Sequence, residues 1–283
     1  MDAKSLIGLL FCTLLFGVGF ASSGDVTRYF NWAGLLVVVG GSLGAAIASF
    51  RMSRLGHVLH VLRTVYRAKI KDPEEIVEIL VDLSVKSKIR GLHTLAEDEK
   101  QTSLLFLRRA LGFVVDNYSR EQTADILNTE MLYFKYRRDE SERVLRVMAD
   151  ICPAIGLAGS VIGLIGMLSG VNDTAVLLST IPIALTSTLY GVVLANFILL
   201  PMAARVREVT DHELLLQKII IEGIMAIQSE LSPRVLEMKL KSFLTPSSRE
   251  VRLVSLSRIK ERFRIAEPEE PRLTPPEDVE VGG

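Results

Sequence analysis

Four apolar stretches constrain this chain more than anything else in it. Residues 6–21, 32–50, 151–171 and 181–206 are each apolar for roughly 16–25 residues, close to what a ~30 Å hydrocarbon core demands of a helix. In lipid every backbone polar group needs an internal partner, so such stretches must be helices that bury their surfaces in acyl chains or against one another. The chain therefore reads as an all-α membrane protein with four transmembrane helices that extend into a cytoplasmic helical bundle.

The formal charge balances, with 33 basic and 33 acidic residues, which implies no general affinity for nucleic acid. The placement of the charges carries more. Arg51, Arg54, Arg63 and Arg67 follow the second stretch, Arg143 and Arg146 precede the third, and Arg205 and Arg207 follow the fourth, whereas the connectors 22–31 and 172–180 hold only Arg28. An excess of arginine on one side marks the cytoplasm. Both termini and the long segment 51–150 are therefore expected inside, in a multi-pass protein surrounded by lipid. Lys4, the apolar run after it and the small residues Gly19 and Ala21 also fit a secretory signal cleaved near Ser22. The span reading is preferred because the run is longer than a usual signal core and a second span follows after a hairpin-length loop.

The organisation that follows is a first hairpin (residues 1–50), a cytoplasmic helical domain (51–150), a second hairpin (151–206), C-terminal cytoplasmic helices (207–245) and an acidic, proline-rich tail (246–283). Asp72, Pro73, Glu74 and Glu75 place a cap, a first-position proline and first-turn acids at a helix start. Ser119 and Gln122 read as a capping box opening a second long helix that leads into the third span. Ser232-Pro233 ends one helix and starts a shorter one near the C-terminal side. Pro246, Pro268, Pro271, Pro275 and Pro276 lie among Glu267, Glu269, Glu270, Glu277, Asp278 and Glu280, too polar to bury a core, so disorder is expected there.

No glycine-rich phosphate loop and no Cys, His and acidic set at metal-ligand spacing is present. No catalytic residue, metal or cofactor is expected, and the chain does not read as an enzyme. His57 and His60 share a helix face without a third ligand, and they read as solvated or interfacial, as do His93 and His212. Cys12 and Cys152 read as small apolar residues in or beside spans. None of the four stretches carries a carboxylate. A chain that moved protons or sodium ions alone would need an ionisable group at membrane depth, so a partner would have to bring one.

The informative constellation is the second hairpin. Gly156, Gly159, Gly163 and Gly166 make a smooth helix face against which another helix can pack closely, and Gly191 lies on the fourth span. Ser160, Thr186, Ser187 and Thr188 are hydroxyls at membrane depth, with Pro153 and Pro201 near the cytoplasmic ends of their spans. On the residues alone, hydrogen bonding to neighbouring helices is the favoured use of these hydroxyls over contact with an ion. Proline at such positions often only marks a bend.

With these residues, with Glu222-Gly223-Ile224 followed by Ile227-Gln228 and Ser232-Pro233, and with four spans flanking a long cytoplasmic segment, residues 1–249 resemble the MotA/PomA subunits of the flagellar stator, in the MotA/TolQ/ExbB proton channel group. The resemblance implies a ring of these subunits, a pentamer, around MotB/PomB-like chains with one span and a peptidoglycan-binding domain, whose transmembrane aspartate carries the transported H+ or Na+. It makes Ser160, Thr186, Ser187 and Thr188 an ion-coupling face, Pro153 and Pro201 helix-flexing prolines, and Gly156, Gly159, Gly163 and Gly191 close-packing glycines. It also implies that a cytoplasmic helix touches a FliG-like rotor switch protein through an Arg three residues before a Gly and a Glu five residues after it. Around Gly91 this chain has Lys88 and Ala96 there, with Arg90 and Glu97 beside them. Lys keeps the charge without the planar fork of Arg, and Glu97 is expected about 100° round the helix from the family's place. The alternatives are an energy-coupling subunit of a related non-flagellar machine (TolQ/ExbB-like, gliding or defence) and a passive membrane scaffold whose glycines serve packing alone.

Overall fold

A computed structural model describes residues 17–18, 29–67, 71–169 and 174–244. The described residues contain helices and no strand. Three helical runs are long and apolar enough to cross a membrane: Trp32–Ser49, Arg120–Ser169 and Thr180–Gln228. The expected span at 6–21, apart from residues 17 and 18, and the expected disordered tail from 245 onward lie outside the described residues, as do Cys12 and Arg28.

The chain divides into two compact units, one of Met1–Ile70 with Leu132–Glu213 and the other of Lys71–Met131 with Leu214–Gly283. The first contains α1 (Trp32–Ser49), α2 (Met52–Arg67), the C-terminal part of α6 (Arg120–Ser169), α7 (Thr174–Val193), a π-helical segment (Leu194–Leu199) and the start of α8 (Leu200–Gln228). Asn31 caps α1, its Oδ1 accepting the Gly34 N–H at 2.9 Å, as a short polar side chain before an apolar run should. On α2, Val58, Leu62 and Val65 recur on one face and are buried. They belong to a cluster with Val144, Leu145, Ala149 and Cys152 of α6 and Ala203, Val206 and Val209 of α8.

Helix α6 runs through Pro153 without interruption. The fourth span handles its second proline differently. Pro201 lacks the N–H that would bond the Phe197 carbonyl, and its ring would press on that oxygen in a regular helix. The preceding turn is widened instead: the Leu200 N–H bonds to the Ala195 carbonyl, five residues back, the local solution that lets a proline sit inside a helix. The sequence reading anticipated flexing at Pro201 but not this π segment, and it passed over Pro182 inside α7.

The second unit contains α3 (Pro73–Arg90), α4 (Leu95–Gln101), α5 (Leu105–Val115), the first residues of α6, the end of α8 and α9 (Pro233–Lys241). The Ser119–Gln122 box forms reciprocally: Ser119 N–H donates to Gln122 Oε1 at 3.0 Å and Gln122 N–H to Ser119 Oγ at 3.2 Å. Ser232 caps α9 through the Val235 N–H. Asp72 stands at the cap of α3 in extended conformation without a side-chain bond. Ile76, Leu80, Leu107, Leu111, Leu127, Ile219, Ile224, Leu236 and Leu240 are fully buried in one core, each such side chain contributing about 1.5–3 kcal/mol by leaving water.

One expectation is corrected here. The charges around Gly91 do not lie on a single helix: α3 stops at Arg90, Gly91 takes φ +88°, a 3-10 turn covers Leu92–Thr94, and α4 begins at Leu95. A φ of that sign is strained for any residue with a Cβ, so the glycine is where the chain can turn. Glu97 therefore belongs to the first turn of a different helix from Lys88 and Arg90, and the 100° displacement along one helix has no meaning.

The Glu222-Gly223-Ile224 run is explained by packing. A Cβ on Gly223 would lie 2.7 Å from Leu80 Cδ1, so its absence lets α3 and α8 touch, while Ile224 is fully buried. Glu222 accepts from Lys239 of α9 at 2.6 Å and pairs with Lys218 at 3.2 Å. The Lys239 bond, with that of Lys218, holds the Glu222 carboxyl below its ordinary value of 4.5 against the opposing effect of partial burial. A depressed folded value gives stability that is present above the unfolded value and lost as the pH falls through the folded one. Glu222→Gln is thus expected to cost about 1 kcal/mol or less at pH 7, because the pair is partly solvated, and to flatten the loss of thermal stability below pH 4.5. Melting of the detergent-solubilised protein from pH 7 to 3 by circular dichroism checks this; an unchanged acid limb in the variant contradicts it.

Candidate functional site

In the second hairpin, glycine brings α6 and α7 to backbone contact. A Cβ on Gly156 would lie 2.7 Å from the Ser187 carbonyl oxygen, on Gly163 2.8 Å from the Ala184 nitrogen, and on Gly191 2.6 Å from the Cys152 carbonyl oxygen. These distances are below any real Cβ contact, so α6 and α7 can approach this closely only with hydrogen at those positions. Helix α1 joins them: a Cβ on Gly41 would meet Ile155 Cγ2 at 2.7 Å, and one on Gly34 would meet Thr186 Oγ1 at 3.0 Å. Gly159 faces both Ser187 and Val37. The glycine face is filled by the chain's own helices. These glycines serve close helix packing, and the helices packed on them are α1 and α7.

The four hydroxyls separate into two pairs. Thr186 and Ser187 are buried, and each donates back to its own helix, Thr186 Oγ1 to the Pro182 carbonyl at 2.7 Å and Ser187 Oγ to the Ile183 carbonyl at 2.6 Å. This back-bonding satisfies the hydroxyl at the place where it is buried. Ser160 and Thr188 are half-buried and hydrogen-bonded to each other, and Ser160 Oγ also contacts the Ala184 carbonyl and, at 3.2 Å, the Gly156 carbonyl. A hydroxyl has one hydrogen and two lone pairs. With Ser160 donating to a carbonyl, Thr188 donates to Ser160 and keeps an acceptor lone pair for whatever lies outside. The rest of that outer surface is apolar and exposed, through Leu157, Val161 and Leu164 of α6 and Leu185 of α7.

Tyr190 carries a role that sequence reasoning did not assign. Its hydroxyl donates to the Tyr29 carbonyl and accepts the Asn31 N–H at 2.7 Å, tying α7 to the start of α1. The signal available was its position within Thr188-Leu189-Tyr190-Gly191, an amphipathic ring amid aliphatic neighbours. Among the described residues no carboxylate lies within the expected spans, and no group of His, Cys, Asp and Glu that could hold a metal ion occurs.

The charged residues near Gly91 are only partly free. Lys88 Nζ donates to the Glu230 carbonyl at 2.8 Å, close to the C-terminal end of α8, where a cation is favoured by the helix dipole. Lys86 bonds Asp98 at 2.7 Å and lies 3.7 Å from Glu97. Arg90 and Glu97 are exposed.

Residues 98–218 match the MotA/TolQ/ExbB proton channel family. Motility protein A of Treponema pallidum (strain Nichols) is 32% identical over 251 residues, 88% of this chain and 96% of that protein. Chemotaxis protein PomA of Vibrio alginolyticus is 26% identical over 249 residues, 88% and 98% of the two chains. Among solved structures, the flagellar MotAB stator complex from Bacillus subtilis aligns with TM-score 0.79 at 25% identity, covering 88% of this chain and 98% of the matched chain. The C. jejuni MotAB structure shares the fold, with TM-score 0.81 at 22% identity and coverage of 90% and 100%. With a fully helical architecture and a glycine-packed second hairpin, this chain belongs to the MotA/TolQ/ExbB proton channel family, among its Motility protein A members.

Proposed function

We propose that this chain is the ring-forming subunit of a flagellar stator in a bacterial inner membrane. Four helices span the bilayer with both termini in the cytoplasm, the remaining helices form a cytoplasmic bundle, and five copies surround a MotB/PomB-like partner with one span and a peptidoglycan-binding domain. Flow of H+ or Na+ through the assembly drives rotation of a FliG-like rotor switch protein. The observation that carries this reading is the half-buried Ser160–Thr188 hydroxyl pair, set in an apolar outer surface within spans that hold no carboxylate.

The pair offers a way to sense a partner's charge. Against a protonated carboxylic acid, the Thr188 oxygen accepts while its hydrogen stays on Ser160. Against a bare carboxylate, the Thr188 hydroxyl turns outward and donates, the stronger bond of the two because the acceptor is charged. Two hydrogen-bond arrangements thus correspond to two ionisation states of the partner, and a Na+ ion would take the acceptor lone pairs instead. One charge crossing 100 mV releases about 2.3 kcal/mol, enough to bias such a two-state rearrangement by roughly fifty-fold. The covalent chemistry of an enzyme has no part in this cycle. Thr186 and Ser187, which the sequence grouped with the coupling face, act in packing, and the π segment before Pro201 with the bend-prone Pro153 supplies the compliance for a step.

The cytoplasmic contact with the rotor falls to Arg90 and Glu97, because Lys88, though exposed as well, is engaged with the Glu230 carbonyl at the end of α8.

Thr188→Val and Ser160→Ala, each expressed with the partner, are expected to reduce ion flux and swimming at least about tenfold, the effect of losing one hydrogen bond to a charged group. Thr186→Val, equally conservative, should leave flux near wild type. Equal flux in all three variants would contradict the assignment, and a flux that becomes independent of Na+ would identify the ion. For the rotor contact, Arg90→Glu with Glu97→Lys should impair torque while ion flux persists, since exposed charges are worth about 0–1 kcal/mol each. Normal torque from that double variant in a tethered-cell assay would overturn the rotor assignment.

A further inference from the structure

A cavity of about 470 Å³ lies between α2 and α6 in the first unit, and its wall is basic. Arg54, His57 and His60 come from α2, and Arg137, Arg138 and Glu140 from α6. Arg54 is neutralised by Glu140 at 2.8 Å and Arg138 is paired with Glu213 at 3.3 Å, which leaves Arg137 as the uncompensated charge of the wall. The volume falls in the usual range for a small-ligand site, roughly 300–1,000 Å³.

Arg138 is the unusual member. It is 8% exposed, yet its Nη1 has no hydrogen-bond partner. A buried guanidinium nitrogen left without an acceptor costs far more than the same group in water. The remainder of the side chain is fixed in place. Nη2 lies 3.3 Å from Glu213 Oε2, and the guanidinium carbon sits 5.2 Å from the centre of the Phe134 ring, so the group is fixed in place with one of its nitrogens left over. Burial pushes the Glu213 carboxyl above its ordinary value, the nearby Arg138 and His212 charges offsetting this only in part.

We propose that this cavity is an anion site that takes a phosphate group, with Arg138 and Arg137 as charged donors and His57 and His60 as the flanking imidazoles. Arginine suits that role because its planar fork presents two parallel N–H groups to phosphate oxygens. His57 Nδ1 lies 2.8 Å from the Ser53 carbonyl, and only the imidazolium form, in which both ring nitrogens donate, would present an N–H at Nε2 to a phosphate oxygen. The site lies in sequence near the expected spans: Arg54 is four residues beyond the second, and Arg138 precedes the third by about 20 Å along the continuous α6. An anionic lipid headgroup and a soluble phosphate compound both meet this chemistry, and the inference stands whether or not the chain drives a rotor.

Two arms test it on the full chain purified in a maltoside detergent, which carries no phosphate. In one, inorganic phosphate is titrated by calorimetry; in the other, phosphatidylglycerol is added and the lipid retained per subunit is counted by native mass spectrometry. Binding in at least one arm is expected, weakened at least about tenfold by Arg137→Gln combined with His60→Ala. Arg137 is exposed, so this variant keeps the fold. Arg138→Gln, made together with Glu213→Gln so that no buried carboxylate is stranded, should have the same effect. Phosphate binding that added lipid does not displace assigns a soluble ligand, and lipid retention that depends on the same residues assigns the headgroup. No binding in either arm, or binding indifferent to Arg137→Gln with His60→Ala, overturns the proposal.

Discussion

Everything in the second hairpin depends on the backbone contact between α6 and α7. In lipid there is no hydrophobic force to press two helices together, because acyl chains are as apolar as leucine, so association rests on close van der Waals approach and on hydrogen bonds. Gly156, Gly163 and Gly191 supply that approach, with spacings that leave no room for a methyl group. The buried hydroxyls of Thr186 and Ser187 are satisfied within their own helix at the same level. Once the glycines are spent on internal packing, the surface left for another chain is the one bordering that contact. Its polar feature is the Ser160–Thr188 pair.

That arrangement links packing to mechanism. A hydroxyl pair at membrane depth is useful to an ion path only if its geometry is fixed, since a one-ångström shift converts a hydrogen bond into a gap. The glycine contacts fix the separation of α6 and α7 and so the meeting of Ser160 with Thr188. The Tyr190 hydroxyl, bonded to both Tyr29 and Asn31, holds α1 against the same pair of helices. In the proposed cycle, the widened turn before Pro201 would be the soft element in which a step is absorbed without loosening the hydroxyls.

Much of the architecture was legible in the residues, for reasons that can be named. Long apolar stretches without carboxylates have few solutions in any solvent, and the Ser119–Gln122 box and Ser232-Pro233 start helices through bonds that are local in sequence. Some of what was not legible was decided by distant neighbours: which helices fill the glycine face depends on where α1 and α7 lie, which glycine spacing alone does not report. The break at Gly91 is different, because Lys88 and Arg90 before a glycine are a local helix-stop signal that the single-helix reading passed over; the helix ends there with Gly91 at φ +88°. Thr186 and Thr188 are the same residue type two positions apart, which on a helix places them about 200° apart, on different sides of the hairpin. The unsatisfied Nη1 of Arg138 is likewise invisible in a run as ordinary as Arg137-Arg138-Asp139-Glu140.

The central claim is that the outer face of α6 and α7 at Ser160 and Thr188 is where a partner's carboxylate docks. Its most direct test is an electron cryomicroscopy structure of this chain co-purified with its single-span partner, at a resolution that shows side chains. The account predicts the partner helix against that face, with its carboxylate within about 3–4 Å of the Thr188 hydroxyl or one bridging water away, in at least one subunit of the ring. A partner helix seated elsewhere, with Ser160 and Thr188 facing lipid in every subunit, would contradict it.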